Sequence, residues 1–414
     1  MSETAVVAAA PAPPQRLSRV FEALDAAGVR WSLLRPPQAL AEAAGDVDLL
    51  VDPAARQRTR DVLLAQGFVP VPAGGRDLHA ADFDAGCGRL LWLHVQSELR
   101  IAGQTLPAAA VLEAVVRDPL PRPRDPWLLW IVLLHGLVDK GAVAERHRAT
   151  LTRLAGAPGA ADCPLTELAE RRGLSAPVVL ALVAAGDWQR LEQLPIMHAP
   201  SAHSRAQRLT GLCRHARGLW TRRGIAVAVI GPDGAGKTTL VNGLHETLPF
   251  PTRILYMGLT GGRLPRADAL RVPGLVLGAR LAILWVRYGV GLYHRARGRI
   301  VLFDRYVLDG TVPSGVAIGP LARASRRVQA AACPLPDLVL LLDAAGETMH
   351  ARKGEYDGAT LESWRIAFRR LQGSVDRLEV LDAERPAETV RRDALAAIWR
   401  RYAARWRPQP APVP

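Results

Sequence analysis

The chain has 414 residues, 49% of them hydrophobic, which is enough for two or three domains with substantial cores. The formal net charge is +14, but Lys140, Lys237 and Lys353 are the only lysines, and arginine supplies the rest of the positive charge. Because glycine and proline are also abundant, this charge is as typical of coding bias as of a polyanion-binding protein, and we expect no nucleic-acid partner.

Residues 1–15 are predicted to be a disordered leader, because they lack the basic start and the hydrophobic bulk of a signal peptide. The four cysteines form no C-x-x-C pair, which is typical of a reduced protein with free thiols, so we predict a cytoplasmic location. The most apolar stretches are residues 127–138 and 275–292. The first is too short to cross a bilayer, and the second carries arginine, whose charge is costly inside a membrane. We therefore predict no transmembrane segment and two buried or amphipathic helices, with attachment of residues 275–292 to a membrane surface as an alternative.

Residues 16–118 alternate helical and strand-like patterns, which predicts an α/β domain. The predicted helices are 17–27 and 53–66, and the predicted strands are 31–34, 45–51, 68–71, 77–83 and 90–95. Asp46 and Asp48 stand one residue apart on the second of these strands, so both carboxylates leave the same face and can hold Mg²⁺ against the phosphates of a nucleotide.

The segment GDVDLLV, residues 45–51, with its flanking helices, resembles the metal-binding strand of the nucleotidyltransferase fold. The resemblance implies a third carboxylate on a later strand, where this chain has His94, with Asp82 and Asp84 as nearby substitutes. The Gly-Ser pair of that family is also replaced, by Arg-Pro-Pro at residues 35–37. Two interpretations stay open, active nucleotidyl transfer and a non-catalytic or sensing domain, and we favour the second.

Residues 119–222 are predicted to be a helical subdomain and connector that completes this first region, with helices at 127–138, 142–154, 164–172, 177–185 and 188–194. A proline- and arginine-rich stretch at 119–126 marks the boundary before it, and the basic segment 202–223 is predicted to be a helix leading into the next domain. His135 and Lys140 are interpreted as a core histidine and a helix-end lysine rather than as ligand contacts.

In residues 223–406, five apolar runs alternate with helical stretches, at 225–230, 252–257, 299–303, 338–342 and 378–381. This alternation predicts a five-stranded parallel sheet with helices on both faces, followed by a disordered tail at 407–414. Ligands of such sheets bind beyond the carboxyl ends of the strands, so the residues just after each run are the candidate site.

The first run is followed by GPDGAGKTT, residues 231–239, which matches the phosphate-binding pattern G-x-x-x-x-G-K-[ST] at every fixed position. Backbone N–H groups of such a loop and the start of its helix surround phosphates, so we predict ATP and Mg²⁺ as cofactors. Lys237 is expected to reach the β- and γ-phosphates, and Thr238 to bind Mg²⁺. The predicted nucleotide-binding residues are Gly231, Asp233, Gly234, Ala235, Gly236, Lys237, Thr238 and Thr239.

Two further groups follow later strands. Asp304 and Arg305 end the third run, where the carboxylate can hold Mg²⁺ and the guanidinium can bind phosphate. Arg352 and Lys353 end the helix after the fourth run and precede a glycine-containing loop, which places them to close over phosphates as a basic lid. The loop after the fifth run is expected to border the adenine.

The loop at 231–239, the D-R-Y sequence at 304–306, the lid and the loop at 378–386 together resemble the thymidylate kinase family of nucleoside monophosphate kinases. The resemblance implies an acceptor contact for Asp233, acceptor-phosphate binding for Arg305, and stabilisation of transition-state charge by Arg352 and Lys353. The aromatic–Gln pair that follows D-R-Y in that family is absent, so the resemblance supports phosphoryl transfer but leaves the acceptor open.

The sequence therefore predicts an ATP-dependent kinase acting on a nucleoside monophosphate or another small acceptor such as a sugar, with a homodimer as one allowed assembly. Two other functions stay open: a switch that hydrolyses nucleotide and changes how the two regions meet, and a nucleotidyltransferase with a regulatory P-loop half.

Overall fold

A computed structural model of the protein describes residues 14–36, 40, 47–71, 77–196, 224–258, 273–312 and 319–406. Residues 1–13 of the predicted leader, the predicted tail, Asp46 and the basic segment 202–223 lie outside these residues. The last residue of the predicted leader, Gln15, begins a helix, so the prediction of disorder is wrong there. The contacts divide the chain into two compact units, one of Met1–Cys87 and Leu91–Ala206, the other of Gly88–Leu90 and Gln207–Pro414.

The first unit is built on a five-stranded sheet with the strand order β1-β2-β5-β4-β3. Its elements up to the sheet's last strand are α1 (Gln15–Ala26), β1 (Trp31–Leu33), β2 (Val47–Val51), α2 (Arg56–Ala65), β3 (Val69–Val71), β4 (Leu78–Asp84) and β5 (Arg89–Gln96). Strand β2 pairs antiparallel with β1 and parallel with β5. The predicted helices and strands are all present, each within a few residues of its expected bounds.

Two short antiparallel hairpins follow, which the sequence did not predict: β6 (Glu98–Ile101) with β7 (Gln104–Pro107), and, after α3 (Ala108–Leu112), β8 (Val115–Arg117) with β9 (Pro121–Pro123). The proline-rich stretch expected to be a plain connector therefore contains a strand, β9. Helices complete the unit: α4 (Asp125–Leu134), α5 (Glu145–Ala155), α6 (Leu165–Glu170), α7 (Ala176–Ala185) and α8 (Trp188–Glu192).

Helix α4 is the centre of the helical part. It is apolar on every side, and its residues from Leu128 to Leu134 are all buried, as expected for a helix without a polar face. A π-helical turn, His135–Lys140, continues it and ends at Gly141, whose φ of +80° suits glycine. In the core, the indole N–H of Trp130 donates to the carbonyl of Ala160 at 2.7 Å, so this large side chain is buried with its polar atom satisfied.

The second unit is a five-stranded sheet with the strand order β11-β12-β10-β13-β14, and every neighbouring pair is parallel. Its elements are β10 (Ala226–Ile230), α9 (Lys237–Thr247), β11 (Thr252–Tyr256), α10 (Pro273–Ala296), β12 (Ile300–Asp304), α11 (Pro320–Ala330), β13 (Leu338–Asp343), α12 (Gly346–Lys353), α13 (Gly358–Arg369), β14 (Leu378–Asp382) and α14 (Ala387–Ala403). This confirms the predicted five-stranded parallel sheet. The central strands β10 and β13 are buried along their whole length, which explains why they are unbroken apolar runs.

Helix α10 contradicts one expectation, because residues 275–292 were predicted to be buried or amphipathic. Its outward face is apolar instead: Trp285, Val286, Val290 and Tyr293 are all more than one-third exposed. Within the part of the chain that the structure describes, Val276–Ala296 is the one helix long and apolar enough to cross a membrane, and 11% of its 18-residue window is buried. The description of this helix as able to cross a membrane rests on its length and composition alone. The expectation that the chain has no transmembrane segment therefore stays a prediction.

Candidate active site

The loop between β10 and α9 has the backbone that its glycines were expected to provide. Gly231, Gly234 and Gly236 have φ values of +143°, +84° and +93°, a range that side chains other than glycine rarely adopt. A Cβ atom at Gly231 would lie 2.7 Å from the carbonyl oxygen of Leu342, and one at Gly234 would lie 2.5 Å from that of Met349. The loop is therefore packed between the end of β13 and helix α12, with no room for a side chain at Gly231 or Gly234.

Lys237 is the first residue of α9, and its ammonium group lies inside the loop. The Nζ atom donates to the carbonyl oxygens of Gly231 at 2.8 Å and Pro232 at 2.6 Å, and lies 3.5 Å from Oδ1 of Asp233. Burial lowers the pKa of Lys237 to about 8, and the positive charge of Arg305 acts in the same direction. An anion in the loop would stabilise the charged form of this lysine.

Thr238 and Asp304 meet as predicted for a metal site. The Thr238 hydroxyl donates to Oδ2 of Asp304 at 2.9 Å, and the other carboxylate oxygen of Asp304 is buried without a hydrogen-bond partner. A hydroxyl beside an unsatisfied carboxylate oxygen suits Mg²⁺, which binds proteins through one or two such groups and takes its other ligands from water and phosphate. No cluster of three or more His, Cys, Asp or Glu side chains that could hold a metal occurs among the described residues.

Arg305 follows β12 with a φ of +67°, one of two non-glycine residues in the described ranges with a positive φ. Its backbone N–H donates to the carbonyl of Val229 at 3.1 Å, which fixes it beside the first strand. Its guanidinium lies between two carboxylates: Nη2 is 2.5 Å from Oδ1 of Asp233, and Nη1 is 4.0 Å from Oδ2 of Asp309. Arg305 therefore links the loop to the turn after β12.

Asp309 was not predicted as a site residue. It lies in the 3₁₀ turn Val307–Thr311, and both of its carboxylate oxygens are buried without a hydrogen-bond partner. Burial raises the pKa of Asp309 to about 7, although the charges of Lys237 and Arg305 act in the opposite direction. The sequence showed only that residues 307–315 depart from the thymidylate kinase pattern, and it contained no signal that this carboxylate would be buried.

A first cavity of about 270 Å³ opens on one side of the loop. Two aromatic side chains that line it, Tyr356 and Trp364, meet edge to face with their ring centroids 4.7 Å apart. The residues around it are Gly231, Pro232, Asp233, Arg280, Arg305, Asp309, Gly310, Val312, Arg326, Gln329, Tyr356, Trp364 and Phe368. This size is sufficient for a small polar molecule with one apolar or planar part.

A second cavity of about 360 Å³ opens on the other side of the same loop. It is bordered by the start of α9 and by the segment after β14, which is the loop predicted to border the adenine. The residues around it are Ala235, Gly236, Thr239, Leu240, Gly243, Leu342, Arg352, Ala383, Arg385, Ala387, Glu388, Val390 and Arg391. Arg352 is the lid residue that reaches this cavity.

The predicted lid is the end of helix α12, which stops at Gly354 with a φ of +68°. Arg352 and Lys353 are both exposed there. Lys353 forms an ion pair with Glu355 at 3.0 Å, and its charge contributes to lowering the pKa of Asp233 in the loop. The two lid cations therefore lie near opposite sides of the loop, Arg352 at the second cavity and Lys353 near Asp233.

In the first unit, Asp48 has its charge neutralised by neighbouring side chains. It lies 2.6 Å from Nε of Arg35 and 2.9 Å from Nδ1 of His94, which faces it across the β2–β5 pairing. Nε2 of His94 is 3.4 Å from Asp77, a carboxylate that the sequence reasoning missed. Burial alone would raise the pKa of Asp48, but His94 and Arg35 outweigh it and hold that pKa below its ordinary value.

The two carboxylates expected as substitutes lie elsewhere. Asp82 pairs with Arg16, and Asp84 accepts a hydrogen bond from the backbone N–H of Gly86 at 2.9 Å. His135 is exposed and lies 3.3 Å from Asp139, so the expectation of a core histidine is wrong. Asp46 is outside the described residues, so its relation to Asp48 stays a prediction.

A parallel sheet of this strand order, with a phosphate-binding loop around a buried lysine, defines the class of P-loop nucleotide-binding proteins with a kinase-type fold. No family model matches the chain. The chain is 32% identical over 202 residues to a thymidylate kinase of Xanthomonas campestris pv. campestris (strain B100), a match that covers 43% of this chain and 84% of the relative. It is 31% identical over 199 residues to a thymidylate kinase of Xanthomonas euvesicatoria pv. vesicatoria (strain 85-10), covering 42% and 83%. The chain belongs to the thymidylate kinase family.

Proposed function

We propose that the protein is an ATP- and Mg²⁺-dependent kinase that transfers the γ-phosphoryl group to a small acceptor. The observation that carries this proposal is that one loop borders both cavities: Gly231 and Asp233 line the first, and Ala235 and Gly236 line the second. In-line transfer requires a donor and an acceptor on opposite sides of the transferred group. The second cavity would take the nucleotide, and the first the acceptor.

The residues of the chain would act mainly by position and charge. Lys237 and the loop N–H groups would bind the phosphates, while Arg352 and Lys353 would stabilise charge that develops during transfer. Thr238 and Asp304 would hold Mg²⁺, which would neutralise negative charge on the phosphates. Arg305 would position Asp233 at the acceptor side, because its guanidinium is already hydrogen-bonded to that carboxylate.

The family relationship makes a nucleoside monophosphate the reference acceptor, and a sugar or other small compound is the alternative. The test is an ADP-release assay with purified full-length protein over nucleoside monophosphates, nucleosides, sugars and sugar phosphates. We expect release that depends on the acceptor and falls by about 10³-fold or more in Lys237→Ala, because that change removes the buried phosphate-binding cation. Slow hydrolysis with no acceptor dependence would favour the switch instead, and pyrophosphate release that depends on Asp48 would favour a nucleotidyltransferase.

For the first unit we propose a nucleotidyltransferase-like domain that does not catalyse transfer. The ion pairs of Asp48 with Arg35 and His94 support this, because a carboxylate already neutralised on both oxygens competes poorly for Mg²⁺. Loss of activity in Asp48→Asn would contradict it.

We also propose a homodimer that uses the outward face of α10. Its exposed side chains, Trp285, Val286, Val290 and Tyr293, are uncharged, so two copies can meet there without like-charge repulsion. A monomeric mass in light scattering would contradict this.

A further inference from the structure

We propose that Asp309 is a catalytic residue of the first cavity that accepts a proton from an alcohol hydroxyl of the acceptor. The protein would then phosphorylate a hydroxyl compound rather than the phosphate of a nucleoside monophosphate. This inference rests on the proposed kinase function and specifies the acceptor of that same site.

The carboxylate of Asp309 lacks hydrogen bonds. Both oxygens are buried in the wall of the first cavity and have no hydrogen-bond partner, and the cation of Arg305 lies 4.0 Å away. A buried carboxylate without hydrogen bonds is costly, and in a native structure it calls for an explanation. A hydroxyl entering the cavity would donate the missing hydrogen bond.

The distribution of charge near the loop also favours a neutral hydroxyl over a phosphate as the reacting group. Asp233 and Asp309 line this cavity, and the charge of Asp304 also acts on Asp309. The cations that act on Asp309 are Lys237 and Arg305. Lys237 points into the loop, and Arg305 is hydrogen-bonded to Asp233. A phosphate acceptor would add negative charge and offer only hydrogen-bond acceptors to Asp309, whereas a hydroxyl is neutral and donates.

The rest of the wall indicates what else the acceptor carries. Two further arginines, Arg280 and Arg326, also line the first cavity. Arginine there favours a carboxylate or phosphate ester on the acceptor, separate from the reacting hydroxyl. The class that fits best is therefore a small hydroxyl compound with an anionic substituent, such as a sugar phosphate.

The reaction balances with ATP as the only co-substrate. The acceptor oxygen forms a bond to the γ-phosphorus, and the bond from that phosphorus to the β,γ-bridging oxygen breaks, which releases ADP. The hydroxyl proton passes to the Asp309 carboxylate and is lost to solvent after the products leave. The products are a phosphate monoester, ADP and one proton, and a positioned carboxylate is the usual proton acceptor for such a step.

The test uses the full-length protein and the acceptor panel above, with ³¹P NMR of the product of the best acceptor. We expect a sugar phosphate to be that acceptor and its new group to be a phosphate monoester. In Asp309→Asn we expect kcat to fall by about 10²–10⁴-fold while the KM for ATP stays within about twofold, because only proton transfer is lost. Asp376→Asn, which changes an exposed aspartate of the same unit, is the matched control and should keep wild-type kcat.

Each other result overturns the inference. A product with a diphosphate linkage would show that a phosphate is the reacting group, and this result needs no variant. An Asp309→Asn protein that binds ATP normally and keeps kcat within about threefold would show that no proton passes to this residue. If no compound stimulates ADP release, the kinase proposal fails together with the inference. In the two results above, by contrast, the kinase proposal stands and only the inference fails.

Discussion

The two units of this protein each bury an aspartate beside a parallel strand pair, but they treat its carboxylate in opposite ways. Asp48 in the first unit faces a guanidinium and an imidazole, one on each oxygen. Asp304 and Asp309 in the second unit together keep three buried oxygens without hydrogen bonds. The residue type is the same, and the difference lies in whether hydrogen-bonding capacity remains for a ligand. A saturated carboxylate stabilises its own fold, whereas an unsatisfied one is available to bind a metal or accept a proton.

The pairing partner explains the difference. His94 lies opposite Asp48 in the β2–β5 register, and its own pKa is raised, because burial would lower it but the carboxylates of Asp48 and Asp77 outweigh that effect. The two carboxylates therefore favour the charged form of His94, and in that form it neutralises Asp48. At the end of β12 the neighbouring group is a threonine hydroxyl, which satisfies one oxygen of Asp304 and leaves the other unpaired.

The sharpest test of this comparison is to neutralise one aspartate of each kind. We expect Asp304→Asn to lower kcat for ADP release by about 10²–10³-fold and to raise the Mg²⁺ concentration needed for half-maximal activity, because the amide is a weaker metal ligand. Asp48→Asn is the matched control and should leave both quantities unchanged. Equal losses of kcat in the two variants would show that the hydrogen-bond saturation of the carboxylate does not distinguish the two sites.

A smaller effect is expected at the lid, where the two cations differ in position. Arg352 borders the second cavity, whereas Lys353 is ion-paired with Glu355. We expect Arg352→Ala to lower kcat by about 10²-fold and Lys353→Ala by about 10-fold, since the lysine already shares its charge with a carboxylate. Arg370→Ala, an exposed arginine of the same unit, should have wild-type kcat in the same assay. A larger loss at Lys353 than at Arg352 would reverse the assignment.

Much of the second unit could be predicted from sequence, because its signals are local. Each strand is a short apolar run, and the phosphate-binding loop is a contiguous pattern whose glycines have the positive φ values it requires. Helix α10 shows the limit of this reasoning: its apolar residues predicted burial, but Trp285 and Val286 are 54% and 67% exposed. Apolar composition indicates that a surface will be covered, and it does not indicate by what.

The candidate sites were less predictable because their chemistry depends on tertiary neighbours. Asp48 was correctly singled out as a strand residue, yet its neutralisation depends on the register that brings His94 opposite it. Asp309 lies in an irregular turn, and nothing local shows that both of its oxygens are buried. Hydrogen-bond saturation is a property of the packed structure, so a sequence can nominate carboxylates but cannot separate the structural ones from the reactive ones.

The smallest effect on activity, and the clearest on stability, is expected for Asp48→Asn measured by thermal unfolding of the first unit. Removing the carboxylate charge leaves Arg35 without this ion pair and His94 with Asp77 alone, which should cost about 1–3 kcal/mol and lower Tm by roughly 2–10 °C. The pKa of Asp48 is lowered from 3.8, so its contribution is present above pH 3.8 and is lost as the pH falls through the lower folded value. The pKa of His94 is raised from 6.5, so its contribution is complete below pH 6.5 and is lost as the pH rises through the higher folded value.

The lowered pKa of Asp48 and the raised pKa of His94 define a pH range in which both groups are charged. This pH dependence makes the stability prediction specific to the ion pair. The Tm difference between wild type and Asp48→Asn should be largest near pH 5, above the lowered pKa of Asp48 and below the raised pKa of His94, and should shrink as the pH rises through that raised value. Asp162→Asn, an exposed aspartate of the same unit, should show no Tm difference across the same pH series. A Tm loss that stays constant across a pH series from pH 5 upward would mean that packing rather than charge holds Asp48, and the proposed reason for its weak affinity for Mg²⁺ would then be wrong.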